Sequence, residues 1–330
     1  MDSTKYMSNK LKVGVIGVGH LGSLHAKMFA QNSEINFVGT FDIDQNKNKS
    51  IGSTYNVTPF ETLEKFLSEV EAVSISTITS SHFQVAKKVL ENGKHTFIEK
   101  PITETPEEAQ ELIDITKKNK LVLQVGHIER FNSAILALEA YNLNPMFIES
   151  HRLSQFNPRG SDVAVVLDLM IHDIDIILSL IKSPISRIDA TGVSIVSKSP
   201  DIANARLQFE NGAVANITSS RISQSKMRKM RLFQNKEYIS IDFLLGLAEV
   251  FRISDDKAIH PTTMLLGQIT EGAIEKNIVY ERPIVKEVNA LQFELNSFID
   301  AITKNTNVIV TGEDGKRALE VASEIIRKIG

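Results

Sequence analysis

The stretch from Gly14 to Ala26, GVIGVGHLGSLHA, carries an apolar, β-branched run through three glycines into a helix-like segment. Gly17, Gly19 and Gly22 fall on the G-x-G-x-x-G spacing, with His20 and Leu21 inside it. A turn this tight between strand and helix belongs to a βαβ unit, and so to a parallel sheet. Each glycine has a task. The first permits the turn, the second lets backbone approach a pyrophosphate, and the third lets helix and strand pack closely. The helix N-terminus that follows offers N–H groups to phosphate oxygens. The alternative is a purely structural turn. Asp42, after the next strand-like run and 25 positions beyond Gly17, favours the nucleotide reading. A carboxylate there accepts from a ribose 2′-hydroxyl and repels the 2′-phosphate of NADP, so the expected cofactor is NAD rather than NADP. Lys47 and Lys49 stand close enough in sequence to soften that discrimination.

The first third keeps alternating. Strands are expected over Leu11–Ile16, Ile35–Phe41, near Val57, Ala72–Thr77, His95–Ile98 and Leu121–Val125. Helices are expected over Leu21–Ala30, Glu61–Leu67, His82–Asn92 and from Thr105-Pro106 to Lys118. This pattern predicts an α/β Rossmann domain, a doubly wound parallel sheet, over residues 1–124, with 1–9 as a loose tail. Beyond it come helical stretches at Phe131–Tyr141 and Ala164–Ile181. Strand-like runs follow at Ile188–Ser197, Ala203–Phe209, Ala213–Ser219, Met230–Phe233, Tyr238–Phe243 and Glu249–Ile253. Asn211-Gly212 is a hairpin signal. Helices over Leu291–Lys304 and Glu313–Lys328 close the chain. Residues 125–330 are therefore expected to form an α+β domain with a large, mostly antiparallel open sheet. That domain would bind substrate and, through the uncovered sheet face, form a homodimer or homotetramer.

A length of 330 residues fits two domains. The net charge of −3 gives no basic field for nucleic acid or an anionic membrane surface. No apolar run approaches the ~18 residues that span a bilayer, and MDSTKYMSNK lacks the apolar core of a signal peptide. The absence of cysteine excludes disulfides, Cys-ligated zinc and thiol nucleophiles, and fits a cytoplasmic protein.

Two places look chemical. Glu99-Lys100-Pro101 ends a strand, and strand carboxyl ends in an open α/β sheet point at the ligand crevice. Lys100 there is a proton donor or a positive group beside a developing alkoxide, or else a surface lysine before a turn proline. The second place is VVLDLMIHDIDIILSL, Val165 to Leu180, apolar at nearly every position and so a buried helix. At about 100° per residue, Asp168, His172, Asp175 and Ser179 share one stripe, and Asp173 points elsewhere as an ion-pair partner. Asp168 one turn before His172 is the orienter–base arrangement of acid–base catalysis. Structural satisfaction and metal ligation are the alternatives.

Together these residues resemble the Gfo/Idh/MocA family of NAD(P)-dependent oxidoreductases. The likeness runs through Gly17–Gly22, Asp42, the segment from Thr77 through Thr79 to His82, Glu99-Lys100-Pro101, Gly126-His127 with Arg130-Phe131, Asp168-x-x-x-His172, and the closing TGEDGKRALEVASEII. The family often has Pro-Asn where this chain has Thr79-Ser80. The resemblance implies that Gly17, Gly19, His20, Leu21, Gly22, Asp42, Thr77, Thr79, His82, Glu99 and Lys100 hold the cofactor. It also implies that Lys100, Asp168 and His172 act on a secondary alcohol of a sugar, cyclitol or derivative, with no metal. His172 is the expected acid/base, oriented by Asp168, and Lys100 holds the reacting oxygen; the roles of Lys100 and His172 are exchangeable. GHIERFN at 126–132 and RLSQFNPRGSDVAVVLDLMIHDIDI look like the branch that oxidises the 3-hydroxyl of UDP-N-acetylglucosamine. Such a substrate carries a diphosphate, for which Arg152, Arg159 and the basic run 226–231 are candidate contacts, the run being otherwise a solvated strand face; His127 and Arg130 are further expected substrate contacts. A free sugar or cyclitol substrate, or a non-catalytic sensor that keeps the dinucleotide fold, are the competing readings.

Overall fold

In the computed structural model the alternation of the first third builds a six-stranded parallel sheet. The structure describes residues 10–156, 163–254, 263–271, 274–284 and 287–330. The elements run β1 (Lys12–Ile16), α1 (His20–Gln31), β2 (Asn36–Phe41), α2 (Gln45–Tyr55), β3 (Thr58–Phe60), α3 (Leu63–Glu69), β4 (Ala72–Ile75), α4 (Thr79–Glu91), β5 (His95–Glu99), α5 (Pro106–Asn119) and β6 (Leu123–Gly126). The strand order is β3-β2-β1-β4-β5-β6. Every residue of β4 and β6 is buried, the continuous burial of strands covered on both faces. The order reverses between β1 and β4, so the crevice at the carboxyl ends of these strands is the expected ligand site. Helix starts follow local chemistry. Thr105 caps α5 in a capping box with Glu108, and Pro106 takes its first position.

The first compact unit comprises residues 1–127 and 291–316; the second comprises 128–290 and 317–330. The sequence reading drew one boundary at 124 and gave everything after it to the second domain. Helix α8 (Ala290–Thr303) instead packs Leu295, Phe298 and Ile299 into the first unit's core beside Val13, Val15 and Phe97. An amphipathic helix carries no mark in its own sequence of which sheet will cover it.

The second unit opens with a 3₁₀ turn at Ile128–Phe131 and α6 (Ser133–Leu136), and continues with β7 (Phe147–Leu153). A π-helical turn at Val166–Met170 then leads into α7 (Ile171–Leu180). Next come β8 (Ile185–Val193), β9 (Ile202–Phe209), β10 (Val214–Ser220), β11 (Met227–Gln234), β12 (Glu237–Asp242), β13 (Leu247–Ser254), β14 (Thr263–Glu271) and β15 (Ile274–Glu281). They form a nine-stranded sheet ordered β14-β15-β13-β12-β11-β7-β10-β9-β8, antiparallel throughout except where β7 meets β10. One face is covered by α7 and by residues 318–325 of the closing helix α9 (Gly312–Ile329). Ile174 and Ile177, with Ala318, Ala322 and Ile325, share a core with Ile148, Ala205, Leu207 and Ile217 of the sheet.

The opposite face carries an aromatic row. Phe147, Phe233, Tyr238, Phe251 and Tyr280 are register partners on five adjacent strands. Their ring centroids lie 5.8, 5.0, 5.4 and 5.0 Å apart in that order. Beside it, Arg231 pairs with Glu149 at 2.6 Å and Lys229 with Asp242 at 3.4 Å. The basic run at 226–231 thus alternates between the core (Met230) and ion pairs on a solvated strand face.

Candidate active site

The glycine turn has the three geometries that its spacing predicts. Gly17 sits at φ +82°, and a Cβ there would stand 2.9 Å from the Ser76 carbonyl oxygen. A Cβ on Gly22 would stand 1.7 Å from the Gly17 carbonyl oxygen, so only glycine lets α1 approach β1 this closely. Around Gly19 a Cβ would meet nothing within 4 Å, which leaves open backbone where a pyrophosphate would lie. No side chain caps α1, and His20 and Leu21 in its first turn are exposed. This terminus keeps the N–H groups and dipole that suit an anion.

Asp42 stands at the carboxyl end of β2. Its Oδ2 accepts from the Val18 N–H at 2.7 Å and its Oδ1 from the Asp44 N–H at 2.7 Å. The carboxylate braces the glycine turn. Asp44 caps α2 and pairs with Lys47 at 3.1 Å. Ile43 and Ile78 follow the ends of β2 and β4 and are 92% and 74% exposed.

Thr77 and Thr79 lie partly exposed at the β4 end, where α4 begins three residues earlier than expected. His82 is consequently inside that helix and 1% exposed. Its Nδ1 lies 2.9 Å from the Pro101 carbonyl and its Nε2 3.1 Å from the Thr77 carbonyl. As a direct cofactor contact His82 is corrected. Buried against two backbone carbonyls, it ties the Thr77 loop to the Lys100-Pro101 loop. Burial holds its pKa below the ordinary histidine value, against the pull of those carbonyls. Glu99 ends β5 almost buried, and Lys100 follows it partly exposed at the sheet's carboxyl edge.

In the second unit, the acidic residues of the 166–180 helix separate by environment. Asp173 and Asp175 are 1% exposed, whereas Asp168 and His172 keep a partly open side. Asp168 lies in the π turn, closed by the Ile171 N–H on the Val166 carbonyl. Such turns concentrate at functional sites. The four-residue stripe nevertheless does not share one environment: within α7, Asp175 is buried and the Ser179 hydroxyl donates to the Ile176 carbonyl at 2.6 Å. Asp175 accepts from Arg130 Nε at 2.6 Å and Nη2 at 2.8 Å. Asp173 accepts from Arg152 Nε at 3.1 Å and Nη2 at 2.7 Å, and Arg152 Nη1 also donates to Glu129 at 2.7 Å.

Arg130 and Arg152 are therefore corrected as substrate contacts. Arg152 is 2% exposed, with its guanidinium spent on two carboxylates under α7. Burial works against its charge, but Asp173 and Glu129 outweigh that and push its pKa above the ordinary arginine value. His127, 1% exposed, presents no open surface either. Arg159 and the tail 1–9 lie outside the described residues. Arg228, 44% exposed at its side chain, rests 3.3 Å from Glu129.

Two sequence models match the chain: the Gfo/Idh/MocA oxidoreductase family, NAD-binding Rossmann fold, over residues 11–127, and the Gfo/Idh/MocA C-terminal domain over 134–240. A UDP-N-acetylglucosamine 3-dehydrogenase from Acidithiobacillus ferrooxidans is 34% identical over 316 residues, 96% of each chain. The chain belongs to the Gfo/Idh/MocA family. A crystal form of that Acidithiobacillus enzyme superposes with a TM-score of 0.87 at 33% identity, covering 97% of this chain and 98% of that one. An inositol 2-dehydrogenase from Rhizobium meliloti is 23% identical over 97% of both chains. This Gfo/Idh/MocA protein is an NAD(P)-binding oxidoreductase with a Rossmann unit and an open-sheet unit. Among its described residues, no helix is long and apolar enough to cross a membrane.

Proposed function

We propose that this protein oxidises the 3-hydroxyl of UDP-N-acetylglucosamine with NAD. The observation that carries the reading is the similarity of the chain, over nearly its whole length, to an enzyme of that activity; Lys100, Asp168 and His172, the expected reacting set, are each partly exposed. Gly17, Gly19 and Gly22 would hold NAD at the turn, and the cofactor would supply a hydride acceptor for the carbinol carbon. His172 takes the hydroxyl proton, and Asp168 one turn before it orients the imidazole and supports its charge. The Lys100 ammonium stabilises negative charge that grows on the oxygen. Asp42 and the Asp44–Lys47 pair favour NAD: a 2′-phosphate would meet a carboxylate, and Lys47 is already drawn to Asp44. With Arg130 and Arg152 committed internally, Arg228 and Arg231 are the described arginines of the expected set with an open side, and Arg228, beside Glu129, is the one assigned to the diphosphate.

A second copy of this chain covers the aromatic row. The row is long, apolar and flanked by ion pairs, the surface an isologous dimer or a tetramer buries. The deciding assay follows absorbance at 340 nm with NAD and, separately, UDP-N-acetylglucosamine, free N-acetylglucosamine and myo-inositol. Turnover with the UDP-sugar alone is expected. Turnover with inositol alone moves the enzyme to the cyclitol branch. Tight NAD binding without any turnover makes it a sensor.

A further inference from the structure

A fully buried imidazole lies between the glycine turn and the Lys100 strand end. His25, on α1, is 0% exposed. Its Nδ1 is 2.7 Å from the Ser74 hydroxyl on β4 and 3.2 Å from that of Ser76 just beyond it. Its Nε2 is 3.1 Å from Glu99 Oε1 at the end of β5, and the ring meets Phe97 edge-on at 5.5 Å. The other Glu99 oxygen accepts from the Lys100 backbone N–H at 3.3 Å. On its far side the carboxylate is hemmed in by β6, where a Cβ on Gly126 would stand 3.0 Å from it. Ser76 in turn lies under the glycine turn: its carbonyl oxygen is 2.9 Å from the Cβ position of Gly17.

One side chain thus links the helix that opens on the glycine turn, the strand beneath that turn, and the strand that delivers Lys100. Helix-on-sheet packing asks only for apolar contact, and a buried polar line is costly unless every member is satisfied and held in one geometry. With its proton on Nε2 and Nδ1 accepting from the serine hydroxyls, the ring faces Glu99 Oε1 across a 3.1 Å contact. We propose that His25 is a positioning residue for hydride transfer. It fixes the Glu99 carboxylate and, through the Glu99–Lys100 peptide, sets the root of the Lys100 side chain relative to the turn that holds the cofactor. The proposal rests on the reading that Lys100 holds the reacting oxygen.

Two substitutions separate positioning from packing. In His25→Gln the amide nitrogen reaches the Nε2 position and keeps an N–H facing Glu99; in His25→Asn it reaches only the Nδ1 position. Both are made in the full chain beside Lys100→Met and followed by single-turnover NAD reduction with UDP-N-acetylglucosamine. Crystal structures of each variant give a readout free of activity. His25→Asn is expected to slow hydride transfer about 30-fold or more, the scale on which an ångström of misplacement acts, with the sugar KM within about threefold. His25→Gln is expected to recover to within about fivefold of wild type. In crystals the Glu99 carboxylate should turn away from α1 in the Asn variant and hold its place in the Gln variant. Equal rates in the two variants, or an unmoved Glu99 in His25→Asn, overturn the proposal. A Lys100→Met enzyme with wild-type rates sinks the catalytic reading alone, and the Glu99 position still decides the role of His25. Should the His25 variants not fold, Ser74→Ala keeps the ring and removes one Nδ1 partner. A three- to tenfold slower transfer is then expected, on the order of one neutral hydrogen bond, and an unchanged rate refutes the idea.

Discussion

Arg152 holds Asp173 by two N–H donors in the second unit's interior, one residue past His172. Both members are almost fully buried, so the pair is a fixture of the fold and not a waiting anion site. Cutting one partner strands a charge. Arg152→Met is expected to cost about 3–5 kcal/mol and lower Tm accordingly, while Arg152→Met/Asp173→Leu loses less than the sum of the single changes. Thermal unfolding of the three variants reads this out directly. A sugar KM that rises for Arg152→Met without loss of stability would return Arg152 to the substrate site.

Gly19 and Gly22 divide binding from folding. An alanine at Gly22 drives its Cβ into the Gly17 carbonyl, so Gly22→Ala should both destabilise the first unit and abolish cofactor binding. Gly19→Ala meets nothing in the protein and should unfold within about 2 °C of wild type, the small shift expected of a substitution without a packing cost. Its NADH affinity should nevertheless fall about tenfold or more, because the methyl occupies the backbone face offered to the pyrophosphate. Fluorescence titration with NADH, alongside melting curves, separates the two.

Loss of the reacting groups should appear in the chemical step. His172→Asn and Lys100→Met are each expected to lower kcat about 10²- to 10⁴-fold, and His172→Asn should leave NADH affinity nearly unchanged. Asp168→Asn, which keeps the shape and drops the charge, should lose less than His172→Asn. Stopped-flow reduction of NAD measures all three, and a His172→Asn enzyme near wild-type rate would reassign the proton acceptor.

Acid should loosen the first unit through two histidines. Burial depresses the pKa of His82 and of His95 below 6.5, and His95 Nδ1 accepts the Val122 N–H at 3.0 Å, a bond only the neutral ring makes. The unfolded chain therefore binds protons that the native state refuses. Stability from these groups is intact above pH 6.5 and declines as pH falls below it, by at most about 1.4 kcal/mol per pH unit for each ring. His82→Gln should flatten the fall of Tm between pH 7 and 5.5. An identical slope in wild type and variant would rule out His82 as a source.

Charge on the aromatic row should separate subunits. Phe251→Lys places a cation in the middle of the stacked rings, and light scattering should show the assembly falling to monomers while the first unit still binds NADH. A wild-type monomer would refute the self-association outright.

Much of this was legible, for reasons that differ along the chain. The central Rossmann strands β1 and β4 read well because KVGVI and AVSI are buried along nearly their whole length and rich in β-branched residues. Helix α2 was missed because it buries only Asn48 and Gly52 and shows no apolar period. Its anchor is a polar one: Asn48 accepts from the Thr40 hydroxyl and donates to the Phe60 carbonyl. The signals available were Asp44 as a cap and Asn56 as a left-handed stop. Strand β7, central in the large sheet, escaped because FIESHRL buries Ser150 and Arg152 where a strand ordinarily buries aliphatic side chains. Strands β14 and β15 were also missed. The helix expected over Phe131–Tyr141 shrank to the 3₁₀ turn and α6. There Asn132 diverts the chain, capping Ala134 and donating to Phe243. For the site, the glycine turn and the Asp168/His172 helix stood out in sequence. The commitment of Arg130 and Arg152 did not, because an arginine that binds phosphate and one that binds a buried aspartate look alike until their partners are known.

The interleaving of the two units has a consequence for synthesis. Residues 128–290 emerge between the first unit's sheet and α8, and α8 supplies Leu295, Phe298 and Ile299 to that unit's core. The nascent Rossmann sheet must therefore wait, incompletely covered, while 163 further residues are translated. Premature termination anywhere in that interval leaves an apolar sheet face bare, a natural mark for chaperones and proteases.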